Sequence, residues 1–377
     1  MDERERYTGM KRLVLGRPTE MLLALLRAAL HEREVETAHF THSTRADWLQ
    51  CYRLAVRQGV APLAWKAVER MTQECCPPLD VKLSWAMFEE QQQEKYRTHC
   101  RIADELTSLF AQHGIAAVVL KGIGLSRLYP TPAHREGGDI DIYTYSADKS
   151  RMTDEEANSL ANELIEREGV EVDYSYGKVH SSFFYRGVRF ENHSRFLNID
   201  TFTQLTKIDE WLKKELQPQR VKLPDGAGEI NVPSYAFDKV FVSLHAAKHY
   251  GTGLSLRHLC DWTVLTRQQG YDYPEEPDNR YYHRVTLALS QLCNRYLGAS
   301  IPVEGYGKLP EEMMAEIIYP PFNRKTPFKN PIRAGWYKIR QKLHLLGLRH
   351  SLLGVSIWKG TTELFKSILQ KPSRLYK

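Results

Sequence analysis

The sequence predicts an α+β protein with a small mixed-sheet core between an N-terminal and a C-terminal helical region. Helical periodicity dominates the first hundred residues, and short strand-like runs replace it from Gly114 onward. Helical periodicity returns near Ser234. We predict four units: a helical region over 1–110, the core over 111–205, a helical half over 206–300, and a proline-containing linker with basic amphipathic helices over 301–377.

The N-terminal region contains three segments with helical patterns. Pro18-Thr19-Glu20 begins the first, because proline and an acid are favoured in the first turn of a helix. A second apolar-periodic stretch spans about 46–71 and ends before the turn signal Cys76-Pro77-Pro78. A long polar helix, rich in Gln and Glu, is expected over about 80–113.

The core contains five predicted strands and one helix. Residues 115–120 form a short continuous apolar run, which is typical of a buried strand, and residues 139–143 alternate strictly. Thr153 and Glu156 have the capping-box spacing that predicts a helix to about Glu168. Three further strands are predicted at 170–176, 181–186 and 188–193.

The C-terminal half is predicted to be helical from about Ser234, over 254–267 and over 282–297. The Pro-, Asp- and Glu-rich residues 271–279 predict a loop, and the prolines in 301–335 predict irregular structure. The last forty residues have the pattern of one or two basic amphipathic helices.

Charge is unevenly distributed along the chain. The net charge is +6, but residues 321–377 hold thirteen Lys or Arg and one acid, so this tail carries +12 and the remainder −6. A basic tail can meet nucleic acid, an acidic partner or an anionic membrane, and it can equally be a solvated helical surface. Aromatic and apolar residues between the basic ones leave open that 335–377 lie on anionic lipid.

Composition points to a cytoplasmic protein. The six cysteines include no C-x-x-C pair, which argues against a disulfide framework or a cysteine-based zinc site and favours a reducing compartment. No run of 18 or more apolar residues occurs, so no spanning helix is expected. Peripheral attachment to a membrane through the tail remains compatible with this location.

The sequence Gly138-Asp139-Ile140-Asp141 carries the first chemical signal. Because side chains alternate along a strand, Asp139 and Asp141 point to one face while Ile140 points to the core. Two carboxylates side by side repel each other unless a cation lies between them, and magnesium prefers oxygen ligands and substrate phosphates. The alternative is an exposed edge strand with two solvated acids.

Neighbouring residues favour the metal interpretation. Lys121-Gly122 follows the preceding strand, where a glycine turn lets the backbone approach a phosphate and the lysine adds a charge. Glu191 lies on the face of its strand that also carries Arg189 and His193, so it is available as a third carboxylate. Three acids from two strands suit a site for two metal ions. Taken alone, Glu191 can equally be an exposed strand acid.

Several basic residues are candidates for phosphate contacts. Arg135, in the loop before the aspartates, can bind a triphosphate bidentately or lie in solvent. His245 and His249 have helical i, i+4 spacing, but the zinc-protease pattern needs Glu where Ala246 stands. We expect them, with Lys248, to border the cleft or to be structural.

Two further pairs carry alternatives. His180 and His193 are candidates for general acid–base groups or for satisfied strand histidines. Arg257 and Asp261 are one helical turn apart, and this spacing predicts an ion pair between them.

The motifs together resemble a known family. Lys121-Gly122, Tyr129-Pro130, Arg135 and Gly138-Asp139-Ile140-Asp141 resemble the nucleotidyltransferase superfamily that includes DNA polymerase β. More narrowly, they resemble the bacterial uncharacterised nucleotidyltransferase family, and the likeness extends over about residues 40–270. The wider superfamily has Gly-Ser where this chain has Lys121-Gly122, so nucleotide binding is expected to differ in detail.

The resemblance implies a polymerase β-like core and transfer of a nucleoside monophosphate from a nucleoside triphosphate to an acceptor hydroxyl. The acceptor stays unidentified and can be a small molecule, a sugar, a protein or an RNA end. Two Mg²⁺ ions, with Mn²⁺ as a substitute, are expected at the acids Asp139, Asp141 and Glu191. The residues expected to contact nucleotide or phosphate are Lys121, Gly122, Arg135, Gly138, His245, Lys248 and His249. The alternative is a catalytically inactive relative that binds nucleotide, nucleic acid or a partner protein.

Overall fold

The computed structural model describes residues 13–175, 179–197, 203–250, 253–269, 280–303, 309–320 and 330–353. Within these residues the chain forms twelve α-helices, a five-stranded mixed sheet and a two-stranded hairpin. The predicted α+β class is therefore confirmed. All six cysteines lie in this part of the chain, and none of them forms a disulfide.

The N-terminal region consists of four helices. Their bounds are α1 Arg17–His31, α2 Arg45–Arg57, α3 Ala61–Val68 and α4 Leu79–Gln112. The predicted stretch 46–71 is thus two helices, because Gly59 adopts a left-handed φ of 67° and Pro62 lies in the first turn of α3. Helix α1 is buried on nearly all sides, in a large apolar cluster with Trp48 and Trp85, which are 2% and 0% exposed.

The core follows from Ile115 to His193. Its elements are β1 Ile115–Val119, α5 Ile123–Ser126, β2 Ile140–Ser146, α6 Asp154–Arg167, β3 Val172–Asp173, β4 His180–Tyr185 and β5 Val188–His193. The strand order is β1-β2-β5-β4-β3, with β2 and β5 parallel and the other neighbours antiparallel. The predicted capping box of α6 is present, since the Glu156 amide donates to Thr153 Oγ1 at 3.2 Å and the Thr153 amide to Glu156 Oε2 at 2.7 Å.

The two faces of the sheet pack against different layers. Ile140 and Ile142 belong to a cluster with residues of α4 and α6, including Phe110. Val118 and Tyr143, on the opposite face, pack in a second cluster with residues of the helices that follow the core. Asp141 shares the face of Tyr143, because the two are two residues apart on β2. The acid face of the sheet is therefore covered by the C-terminal helices.

The C-terminal half contains six helices and a hairpin. The elements are α7 Thr203–Glu215, β6 Gln219–Lys222, β7 Glu229–Val232, α8 Tyr235–His249, α9 Leu256–Gln269, α10 Arg280–Leu297, α11 Leu309–Ile318 and α12 Pro331–Leu353. Helix α8 supplies Phe237, Phe241 and Leu244 to the cluster on the acid face of the sheet. This packing brings the end of α8 toward the aspartates.

Two predictions for this half are wrong. Residues 206–300, predicted as helical, contain the antiparallel hairpin β6–β7, whose buried Ile230 and Val232 join the core cluster beneath β1. The irregular structure predicted for 301–335 is interrupted by α11. That helix forms because Met313 and Ile317 are buried in the large apolar cluster, where the helix packs on α10, and Pro310 lies in its first turn, where proline is tolerated.

Some predictions concern residues outside the described part. The loop predicted at 271–279 and most of the tail after Leu353 lie there. Helix α12 is the described part of the basic tail, and Trp336 on it is 64% exposed. None of the described helices is long and apolar enough to cross a membrane.

Candidate active site

The three predicted carboxylates meet at one end of the parallel pair β2–β5. Asp139 directly precedes β2, and Asp141 is its second residue. In the register of the pair, Asp141 is opposite Glu191 of β5. Parallel pairing places the two side chains on the same face of the sheet, so the prediction that acids from two strands share one face is confirmed by the geometry.

Asp141 is the most enclosed of the three acids, with 1% of its surface exposed. Its Oδ1 lies 3.0 Å from His193 Nε2, and its Oδ2 accepts from Lys121 Nζ. Burial alone raises the pKa of Asp141, but the charge of Lys121 and the hydrogen bond from His193 outweigh burial, and the pKa falls well below its usual range. Asp141 is therefore ionised at any physiological pH.

Glu191 lies in a more repulsive environment. Burial raises its pKa, and the nearby charges of Asp141 and Asp139 raise it further. Arg189 donates to Glu191 Oε1 at 3.1 Å, and His180 Nε2 lies 3.7 Å from Oε2. Asp141 and Asp139 are thus close enough to Glu191 to disfavour its ionisation. A bound cation would relieve this repulsion.

The turn after β1 brings Lys121 and Gly122 beside the acids. The Leu120 amide donates to the Asp141 carbonyl at 3.0 Å, which extends the pairing of β1 with β2. Gly122 has a φ of 64° and a ψ of −119°, a conformation that L side chains rarely adopt. A Cβ on Gly122 would lie 3.5 Å from the Asp139 carbonyl. Glycine therefore lets this turn pack directly against the backbone of the acid strand.

Arg135 has a structural partner that the sequence did not predict. It is 7% exposed, and its Nε and Nη2 each donate to Asp261 of α9 at 2.9 Å. Tyr129 also donates to Asp261 Oδ1, at 2.6 Å. The alternative of a solvated loop arginine is wrong, because the loop is folded under α9. Contact of Arg135 with phosphate stays a prediction, and Nη1, near Gly122, is the nitrogen that faces the turn.

The predicted pairing of Arg257 with Asp261 is also wrong. Arg257 Nη1 donates to the carbonyl of Glu136 at 3.2 Å, and both direct partners of Asp261 come from the loop and turn around the core. Helical i, i+4 spacing alone could not reveal this, because a bidentate arginine from a distant loop competes for the same carboxylate. Two arginines therefore hold the loop before Asp139 against α9.

Three histidines lie at the end of α8 and the start of α9. The ring centroids of His245 and His249 are 4.5 Å apart, and those of His249 and His258 are 5.2 Å apart. Burial lowers the pKa of His245 well below its usual value and that of His258 to about 3. The sequence identified the first two as site candidates but not His258, whose only signal was its position beside Arg257.

The residues line one cleft that opens to solvent. Seven of the predicted residues line it, namely Lys121, Gly122, Arg135, Gly138, Asp139, Asp141 and His245. Arg257, His258 and Asp261 line it as well. Glu191, Lys248 and His249 are not among its lining residues, although Glu191 is paired in register with Asp141.

A comparison with protein families places the chain in one of them. Residues 44–281, more than half of the chain, match the uncharacterised nucleotidyltransferase family. A comparison with curated proteins finds no match. A similar solved structure is an antigenic nucleotidyltransferase-like protein from Paracoccidioides brasiliensis, with 14% identity and a TM-score of 0.38 over 55% of this chain and 94% of that one. The chain is a member of the uncharacterised nucleotidyltransferase family.

Proposed function

We propose that the chain transfers a nucleoside monophosphate from a nucleoside triphosphate to an acceptor hydroxyl, with release of pyrophosphate. The observation that carries this proposal is the convergence of Asp139, Asp141 and Glu191 at the end of β2–β5, beside Lys121. A triphosphate is the donor that such a site suits, because catalysis of its cleavage is largely positioning and charge neutralisation.

The residues fit two Mg²⁺ ions, with Mn²⁺ as a substitute. All three acids offer oxygen ligands, which hard divalent ions prefer. Burial raises the pKa of Glu191, and repulsion from Asp141 and Asp139 raises it further. A cation among the three acids would relieve that repulsion. When bound, the ions would neutralise the phosphates and acidify the acceptor hydroxyl. Asp139, Asp141 and Glu191 would hold the ions.

The protein groups then have distinct roles. Asp141 supplies a fixed negative charge because its pKa is held low. Glu191, paired in register with Asp141, also supplies a carboxylate that can accept the proton of the acceptor hydroxyl. Lys121 lies between Asp141 and the open cleft, where its ammonium group can reach a phosphate oxygen.

The remaining candidates form the walls of the site. Gly122 and Gly138 keep the backbone near the acids open to a phosphate, and Gly138 has no heavy atom within 4 Å of the place where a Cβ would be. His245 faces the acids from α8 and lines the same cleft. We place Lys248, from the same helix, at the outer edge of the phosphate site.

Calorimetric titration with each nucleoside triphosphate in the presence of Mg²⁺ tests this function. We expect Mg²⁺-dependent binding by the wild type, loss of that binding in Asp139→Asn, and no change in the control Glu171→Gln, which removes an exposed acid outside the cleft. No binding of any triphosphate by the folded wild type would contradict the proposal. Mg²⁺-dependent binding that never leads to pyrophosphate release would favour the inactive binding module instead.

A further inference from the structure

We infer that His245, His249 and His258 form a second metal site, separate from the carboxylates and suited to a transition metal of the Zn²⁺ class. One ligand nitrogen from each histidine lies within 4.8 Å of the others. Two of the rings come from consecutive turns of α8, and the third comes from the start of α9. Two helices packed against each other therefore present three imidazoles to one point.

The donor set selects the kind of metal. Three imidazole nitrogens without a carboxylate suit Zn²⁺, Cu²⁺, Ni²⁺ or Co²⁺, whereas Mg²⁺ prefers oxygen. Neutral imidazole is the form that binds a metal, and it is a poor partner for a phosphate dianion, which favours charged donors.

The spacing of the nitrogens is close to what a metal requires. Zinc–nitrogen bonds of about 2.1 Å in a tetrahedral site place the ligand nitrogens about 3.4 Å apart. The three nitrogens now lie up to 4.8 Å apart. Side-chain rotations that move each nitrogen by about 1 Å would bring them to the spacing of a zinc site. Three protein ligands leave one position for water or a substrate group, as in catalytic rather than structural zinc sites.

In the structure the Ser255 amide donates to His258 Nδ1, so metal binding at Nε2 requires a change of tautomer. His258 Nδ1 lies 3.0 Å from Ser255 Oγ and 3.1 Å from the Ser255 amide nitrogen. Metal binding at Nε2 requires the proton at Nδ1, and the hydroxyl of Ser255 is then its acceptor. The contact with the Ser255 amide is lost in that form, so the free energy of metal binding must offset one hydrogen bond.

The surroundings indicate what completes the site. The positive charge of Lys121 is close enough to His245 to affect it, and that of Arg257 is close enough to affect His258. Both charges repel a further cation. An anionic fourth ligand, such as hydroxide or a carboxylate or phosphate oxygen, would compensate for them. Since His245 lines the cleft that holds Asp139 and Asp141, this ligand would belong to a molecule bound beside the acids.

Co²⁺ substitution tests the site without reference to turnover. Untagged full-length protein is titrated with Co²⁺ in the absence of nucleotide, and tetrahedral coordination is followed by visible d–d absorption. Equilibrium dialysis then measures Zn²⁺ affinity and stoichiometry. We expect one tight Zn²⁺ per chain and an intense tetrahedral Co²⁺ spectrum.

The variants separate this site from the carboxylates and from a folding defect. His249→Ala and His258→Gln should each weaken Zn²⁺ binding by about 100-fold or more, and Gln keeps an acceptor for the Ser255 amide. His113→Ala, which removes an exposed histidine at the end of α4, and Asp139→Asn should both retain the wild-type spectrum and affinity. Circular dichroism confirms that each variant is folded.

Two results would overturn the inference. The first is a wild type without tetrahedral Co²⁺ absorption or stoichiometric Zn²⁺. The second is that the histidine variants bind Zn²⁺ as tightly as the wild type does but bind Mg²⁺–triphosphate more weakly. The three histidines would then contact phosphate instead of a metal. The inference does not rest on the proposed nucleotidyl transfer, because the spectrum is recorded without nucleotide.

Discussion

At the scale of single residues, buried charges connect the separate parts of this protein. Arg135 and Asp261 are 126 positions apart in the sequence, yet they form a bidentate pair in which both residues are almost fully buried. Burial by itself raises the pKa of Asp261. The charge and hydrogen bonds of Arg135 lower this pKa by more than burial raises it, so the carboxylate stays ionised. This pair attaches the loop before Asp139 to α9.

Removal of one member of that pair should destabilise the fold. Arg135→Met leaves Asp261 charged and buried, so we expect the free energy of unfolding to fall by about 3–5 kcal/mol. Urea denaturation measures it, with Arg151→Met, which affects an exposed surface pair, as the control. The double variant Arg135→Met with Asp261→Leu should recover part of the loss. A single variant as stable as the control would show that the pair contributes nothing.

Asp238 provides a test of pH dependence. It is fully buried in α8, and burial raises its pKa to about 7 although Arg127, 3.5 Å away, opposes this effect. The folded state therefore binds a proton that the unfolded state releases above its ordinary pKa of 3.8. Stability from this group should fall as the pH rises from about 4 to 7, because the unfolded state holds fewer protons over that range.

Asp238→Asn should remove this contribution. We expect the variant to show a flatter dependence of unfolding free energy on pH between 4 and 7 than the wild type, measured by urea denaturation at several pH values. Asp148→Asn, at an exposed carboxylate, is the matched control. Curves of equal slope for Asp238→Asn and the wild type would contradict the raised pKa.

At the scale of elements, the strands and the turn around the acids followed from local pattern. Strict alternation of apolar and polar residues at 139–143 and 188–193 identified the two strands that carry the acids. The same alternation put Asp141 and Glu191 on the faces of their strands that point away from the apolar core. The hairpin β6–β7 was missed because each strand has only four residues and exposed polar side chains dominate β6. Helix α11 was missed because the prolines around it outweighed its short apolar pattern.

The turn at Gly122 allows a sharp comparison of glycines. Gly122→Ala places a side chain on a backbone with φ of 64°, so we expect a loss of about 1–2 kcal/mol of stability and weaker binding of triphosphate. Gly138→Ala, in the loop that leads to Asp139, meets no atom within 4 Å and should leave the thermal stability unchanged. Thermal unfolding and nucleotide titration measure both. Equal effects of the two substitutions would show that the Gly122 conformation is not required.

At the scale of the whole molecule, the C-terminal helices complete a site that the core begins. The core supplies the acids, Lys121 and Gly122, whereas α8 and α9 supply His245, Arg257, His258 and Asp261 to the same cleft. The carboxylates could be predicted because their spacing is local. The loop-to-helix pair and the third histidine could not, because they depend on how distant segments pack, which no local pattern encodes.

The basic tail is the second whole-molecule feature. Helix α12 exposes Trp336 and Leu343 beside Lys and Arg residues, a combination typical of helices that lie on anionic lipid. We expect the full chain to float with phosphatidylserine vesicles and not with phosphatidylcholine vesicles, and Trp336→Ser with Leu343→Ser to reduce flotation severalfold. If the chain floats equally with both lipids, or with neither, it does not recognise anionic lipid. The tail is then a solvated surface or a site for an acidic partner.

The central claim is that Asp139, Asp141 and Glu191 catalyse transfer of a nucleoside monophosphate. The most direct measurement supplies nucleoside triphosphate labelled at either the α- or the γ-phosphate, with Mg²⁺ and a pool of candidate acceptors, to the wild type and to Asp141→Asn. The account predicts that only the α label is transferred to an acceptor, that pyrophosphate is released, and that both events fall to background in the variant. Transfer of the γ label, or transfer of the α label that survives in Asp141→Asn, would contradict it.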